Sequence, residues 1–227
     1  MTRKIWENLR SVLVIIGLIW ACYFISFVFD RDAFALLPRE LPGLRGLIFM
    51  PLVHADLNHV LSNTLPLTSL LLMLRFSAPK FWRTLLALSL SSGLLLWLFG
   101  RSGVHLGANM LIYALAAWLI TTGFVQRRLL AVAAAVLVTV SFGELFWKMF
   151  PTAGTHVLWE SHLLGAVAGF ALAWRKRAAQ AADSSQRPQS QQVAAAPAQS
   201  APLSNPASAV SSQPADDTQT AEDGFAI

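Results

Sequence analysis

The chain has 227 residues, 55% of them hydrophobic and 13% charged, with a formal net charge of +5 at pH 7 and a mean hydropathy of +0.54. Composition this apolar belongs to membrane proteins and argues against an ordinary soluble domain. Cys22 is the single cysteine, which excludes an internal disulfide framework or a cysteine metal cluster, and the basic residues fall in short clusters between apolar runs, a topology signal rather than a nucleic-acid stripe.

In chain order, a basic start leads into residues 11–29, an uncharged run of 19 residues that is too long for a signal core and has no small-residue cleavage site. It reads as a retained first helix. Residues 30–53 are moderately apolar but broken by Pro38, Pro42 and Pro51, so they form either a partly submerged interfacial loop or an ordinary outside loop. Further apolar runs occupy residues 57–74, 84–99, 104–124, 129–147 and 157–174. A hydrocarbon core of ~30 Å needs about 20 helical residues, so the run at 84–99 must borrow Phe81 and Trp82. Six transmembrane helices result, an all-α membrane bundle over residues 1–177. Residues 178–227 turn to Ala, Gln, Ser and Pro and read as a disordered cytoplasmic tail.

Orientation follows from the basic residues. With the N-terminus cytoplasmic, inside segments hold Arg3, Lys4, Arg10, Arg75, Lys80, Arg83, Arg127, Arg128, Arg175, Lys176 and Arg177. Outside loops hold Arg31, Arg39, Arg45, Arg101 and Lys148. Eleven against five places both termini inside; compactness and the absence of a targeting segment make a bacterial plasma membrane the expected location.

Polar side chains at bilayer depth are costly and are functional candidates by default. On the second run, His59 and Asn63 lie four residues apart on one helix face, with His54 just before them and Asp56 or Asn58 as a cap. On the fourth, Gly107 and Ala108 permit close approach and Asn109 offers an interhelical hydrogen bond, which on its own reads as packing. On the sixth, His162, Gly165 and Gly169 stand at i, i+3 and i+7, a histidine above a small-xxx-small groove. All three groups lie in the outer half of the bundle. The five histidines, His54, His59, His105, His156 and His162, include no His-x-x-x-His pair, so no metal site is expected, and Glu144 with Lys148 reads as a structural ion pair. A channel or transporter would call for inverted repeats, and none is evident.

Taken together, these residues resemble the rhomboid family of intramembrane serine proteases over roughly residues 46–174. His54, His59 and Asn63 have the family's second-helix spacing. Residues 107–113 resemble its Gly-x-Ser-Gly helix with a tyrosine four residues after the serine, here Tyr113, and His162 with Gly165 and Gly169 resembles the catalytic-histidine helix. The resemblance implies a cofactor-free serine–histidine dyad acting on transmembrane protein substrates in the lipid bilayer. It also implies His162 as general base, His59 and Asn63 as oxyanion donors, Tyr113 stacked on His162, and His54 in support.

The nucleophile position departs from the pattern. It holds Asn109, followed by Met110 where the family has glycine. An amide nitrogen has no free lone pair for attack, so the chain is expected to be a pseudoprotease that binds transmembrane helices, with Asn109 free to hydrogen-bond His162. The alternative is an active endopeptidase, through a native serine at position 109 or through Ser102 of Gly100-Arg101-Ser102-Gly103. Ser102 lies in a loop and has leucine, Leu106, four residues on; Ser161 and Ser62 face other directions.

Overall fold

A computed structural model describes residues 2–141 and 159–195. The chain divides into two units, Met1–Ser184 and Ser185–Ile227. The described residues are mostly helical, with helices α1 (Thr2–Ile25), α2 (Gly46–Phe49), α3 (Leu57–Ser77), α4 (Phe81–Phe99), α5 (Asn109–Val125), α6 (Leu129–Ser141) and α7 (Trp159–Ala195).

Three of these are long and apolar enough to cross a membrane: Trp6–Ile25 within α1, Leu57–Ser77 and Phe81–Phe99. Leu41–Leu52 and Asn109–Val125 are shorter apolar helical stretches. Helix α4 does take in Phe81 and Trp82. α1 turns Leu13, Val14, Leu18 and Phe24 outwards, the surface of a helix solvated by lipid.

Helix α5 is the axis of the first unit, packed by α3, α4 and α6. It is apolar on every face, and Met110–Ala116, Trp118 and Leu119 are all buried, as expected of a helix surrounded by others. Around it Leu67, Leu70, Leu71 and Leu74 of α3 and Leu88 of α4 form the continuous core.

One expectation changes. The fourth run does not begin its helix at Val104: residues 100–108 are a loop in which His105 forms an antiparallel bridge with Leu36, and α5 starts only at Asn109. The physical reason is glycine, because Gly103 and Gly107 take φ of 154° and 99°, outside the helical region. At the other end, α7 runs to Ala195. Residues 196–227 of the expected tail lie outside the described residues, as do Glu144, Lys148 and His156.

The segment after α1 is folded rather than open. It makes 3-10 turns at Asp32–Phe34, Leu41–Arg45 and Met50–Leu52 around α2. A Cβ at Gly46 would overlap the Leu36 backbone, so only glycine lets the segment close on itself. One side packs on α4, where Gly93 meets Leu47, while Leu41 and Ile48 are exposed. Arg39 donates from its backbone to the Trp97 carbonyl (3.0 Å) and the Trp97 indole donates to the Glu40 carbonyl (3.0 Å), which ties the segment to the end of α4.

Candidate functional site

Asp56 stops the coil ahead of α3 in extended geometry, and its carboxylate accepts the His59 backbone N–H at 2.8 Å. This is an N-cap, and it sets the register that stacks His59 and Asn63 on one face. His54, fully buried, meets the His59 ring edge-on at 5.0 Å. Its Nδ1 lies 3.4 Å from the Leu52 carbonyl, and its Nε2 is buried without a hydrogen-bond partner. Burial first, and then the neighbouring His59, lower the His54 pKa to about 4, so the ring is neutral near pH 7.

The loop before α5 brings its glycine to the same place. The Gly107 N–H donates to the Met50 carbonyl at 3.0 Å, and a Cβ on Gly107 would lie 2.6 Å from His59 Nε2 and 3.5 Å from Asn63 Nδ2. Glycine is therefore required twice, by its positive φ and by the imidazole against it. Two residues later Asn109 opens α5, whose first turn no side chain caps. Asn109 Nδ2 lies 2.9 Å from His59 Nε2, a hydrogen bond between the amide and the imidazole. The amide is thus engaged with α3. Asn63 Nδ2, beside it, is buried with no partner; such an unspent donor costs roughly 1–3 kcal/mol.

Helix α7 closes the cluster from the other side. A Cβ on Gly165 would overlap the Met110 carbonyl, and one on Gly169 the Ala114 carbonyl. Both contacts advance by four residues, so α5 and α7 run parallel in register at backbone-to-backbone distance. That register sets buried His162 level with the head of α5, where its ring stacks on Tyr113 with centroids 4.5 Å apart and planes 20° apart. Tyr113 lies one turn after Asn109 on the same face. His54, His59, Asn63, Gly107, Asn109, Tyr113, His162, Gly165 and Gly169 thus belong to one three-helix cluster.

Other candidates lie elsewhere. Ser102 is in the exposed loop, where Arg39 donates to its hydroxyl at 3.4 Å. Ser62 is exposed and donates to the His59 carbonyl at 3.1 Å. Among the described residues no group of three His, Cys, Asp or Glu side chains is placed to hold a metal ion.

Two elements of the site were not visible in the sequence. Arg101 in the loop forms an ion pair with Glu160 in the first turn of α7, two residues before His162. Buried His105 approaches the Arg101 carbonyl at 3.2 Å through its Nε2, and burial lowers its pKa. The only signal was Glu160, an acid at the start of an apolar run; its partner is 59 residues away in sequence.

Residues 42–179 match the family model described as the Rhomboid domain. Uncharacterized proteins of Mycobacterium bovis and Mycobacterium tuberculosis are 34% identical over 153 residues, covering 63% of this chain and 63% of each relative. A Mycobacterium leprae protein, likewise uncharacterized, is 29% identical over 155 residues, 64% of this chain and 60% of its own. The alignments thus span less than two thirds of the relatives' length. With a family match across more than half its length and helices apolar enough to cross a bilayer, the chain belongs to the rhomboid family and is an integral membrane protein with an intramembrane protease-like scaffold.

Proposed function

We infer that this chain is a catalytically silent rhomboid, a pseudoprotease of a bacterial plasma membrane that binds the transmembrane helices of other proteins without cutting them. In this reading the bundle has six spans with both termini cytoplasmic, as the distribution of Lys and Arg favours. The mycobacterial relatives favour a bacterial membrane.

The observation that carries the reading is Asn109 at the head of α5, hydrogen-bonded to His59 at 2.9 Å. Position 109 is where a nucleophile would work: one turn above Tyr113, whose ring stacks on His162, and against the donors of α3. A serine there would pass its proton to His162 as general base and form an acyl-enzyme, with His59 and Asn63 donating to the oxyanion. An amide can do neither, because its nitrogen lone pair is delocalised into the carbonyl. Asn109 also spends the His59 Nε2 that an oxyanion would need. His54 backs His59, and Gly107, Gly165 and Gly169 let the three helices close on the site. What remains is a scaffold with an exposed apolar rim, suited to an apolar helix and needing no cofactor.

The test is cleavage of a model transmembrane substrate in liposomes by the natural sequence, by Asn109→Ser, and by Asn109→Ser/His162→Ala. The expected result is a silent parent, a cleaving serine variant, and silence again without the histidine. Cleavage by the parent that His162→Ala abolishes would overturn the reading in favour of an active endopeptidase, and Ser102→Ala would then show whether Ser102 is its nucleophile.

A further inference from the structure

At the end of the bundle away from this cluster, a cavity of about 290 Å³ opens between α4, α5 and α7. The 19-residue α4 separates the two ends by about 28 Å. Its lining includes three cations, Lys80 just ahead of α4, Arg83 in the first turn of α4 and Lys176 of α7, and no acidic residue. Ala87 and Leu172 lie one helical turn further along α4 and α7 from Arg83 and Lys176, away from the start of α4, and buried Trp118 of α5 completes the lining. Lys176 Nζ sits 5.2 Å from the Trp118 ring centroid, a cation held over an aromatic face. Thr84, one turn along from Lys80, also lines it.

We propose that this cavity binds one anionic phospholipid, with the phosphate of the headgroup on Lys80, Arg83 and Lys176 and the start of an acyl chain on Ala87, Trp118 and Leu172. Three cations gathered at one opening without a carboxylate repel one another, and a phosphate relieves that repulsion. The step from this cationic mouth at the start of α4 to apolar residues one turn further along the helices decides the source. A free phosphate would use only the mouth, whereas a phospholipid uses both, and its chain continues along the outward Trp82 and Leu86 of α4. Basic pockets between helices at one membrane face suit such headgroups. The site shares no residue with the polar cluster, so it stands whether or not the chain cleaves anything.

The full chain, delipidated in detergent, is titrated with phosphatidylglycerol and with phosphatidylcholine, and bound lipid is counted by native mass spectrometry. One phosphatidylglycerol is expected to be retained, preferred on the order of tenfold. Lys80→Gln/Arg83→Gln/Lys176→Gln should bring the two lipids to parity, while Lys176→Arg keeps the preference. An Arg127→Gln/Arg128→Gln/Arg175→Gln control removes three charges outside the cavity and should also keep it. Should the triple variant not fold, Lys176→Gln alone should lower the preference roughly two- to threefold. The proposal is overturned if the unaltered chain shows parity or if the cavity variants keep the preference. It is also overturned if the control loses as much as they do, or if millimolar inorganic phosphate displaces the lipid and so marks a free-anion site.

Discussion

Helix α5 meets its two neighbours at the site by opposite means. Against α7 it offers the Met110 and Ala114 carbonyls to Gly165 and Gly169, and the backbones touch with nothing between them. Against α3 it offers the Asn109 amide to His59, while Asn63 Nδ2 and His54 Nε2 stay buried and unpaired. The first seam is rigid because no side chain is left to move. The second keeps polar groups in a packed region at a net cost, which packing alone does not justify. Strain of that kind is what a binding or reacting site retains. One seam therefore serves as the reference against which the other is set, since it fixes His162 while the polar side chains face it across α5.

The severest way to break the contrast is to put a side chain into the rigid seam. Gly169→Val adds three carbons where even a Cβ overlaps the Ala114 carbonyl, and backbone has no rotamer to yield. The helices must separate, at a cost of about 3 kcal/mol or more. The loss shows as a lowered melting temperature in detergent, and with it the Tyr113–His162 stack should open. A variant that melts like the parent would mean the seam is not rigid.

The polar seam responds to pH instead. The His54 pKa is about 4 in the folded chain against an ordinary 6.5, chiefly because the ring is buried. Between those values the unfolded chain binds a proton that the folded chain refuses. Stability therefore falls as pH drops from about 6.5 towards 4 and levels off below, by at most about 3 kcal/mol. His54→Phe keeps an aromatic ring against His59 and removes both the titration and the unpaired Nε2. Melting followed over pH 4 to 7 should then be flatter, with the residue of the slope left to buried His105. Equal slopes in parent and variant would assign the acid sensitivity elsewhere.

How much of this could be read beforehand differs between the seams for the same physical reason. Gly165 and Gly169 are legible because helical periodicity alone places them on one face with His162. The family resemblance likewise draws His59, Asn63, Tyr113 and His162 towards one place. Neither shows where the Asn109 amide goes, because His59 lies 50 residues away and the choice between it and His162 depends on how the helices dock. The loop before α5 reads as helix in the sequence because Val104, Leu106 and Ala108 continue an apolar run. Its true conformation depends on glycine torsions and on Leu36, 69 positions upstream. Local pattern identifies the elements; pairing at long range decides what their polar groups do.

The smallest effect concerns the tie between that loop and α7. The Glu160 side chain is only 11% exposed while that of Arg101 is 61% exposed, so water screens one partner and not the other. The pair should contribute at most about 1 kcal/mol, weakened by salt. Removing only Arg101 strands Glu160 in a poorly hydrated place, so Arg101→Gln should cost more than Arg101→Gln/Glu160→Gln. A double-mutant cycle on melting, at low salt and at 0.5 M salt, separates the coupling from that penalty. If the pair only decorates the surface, the coupling is zero at both salts. If it holds the loop that carries Gly107 against His59, its loss should also free the Asn109–His59 contact, visible as a changed His59 imidazole resonance while the α5–α7 glycine seam stays intact.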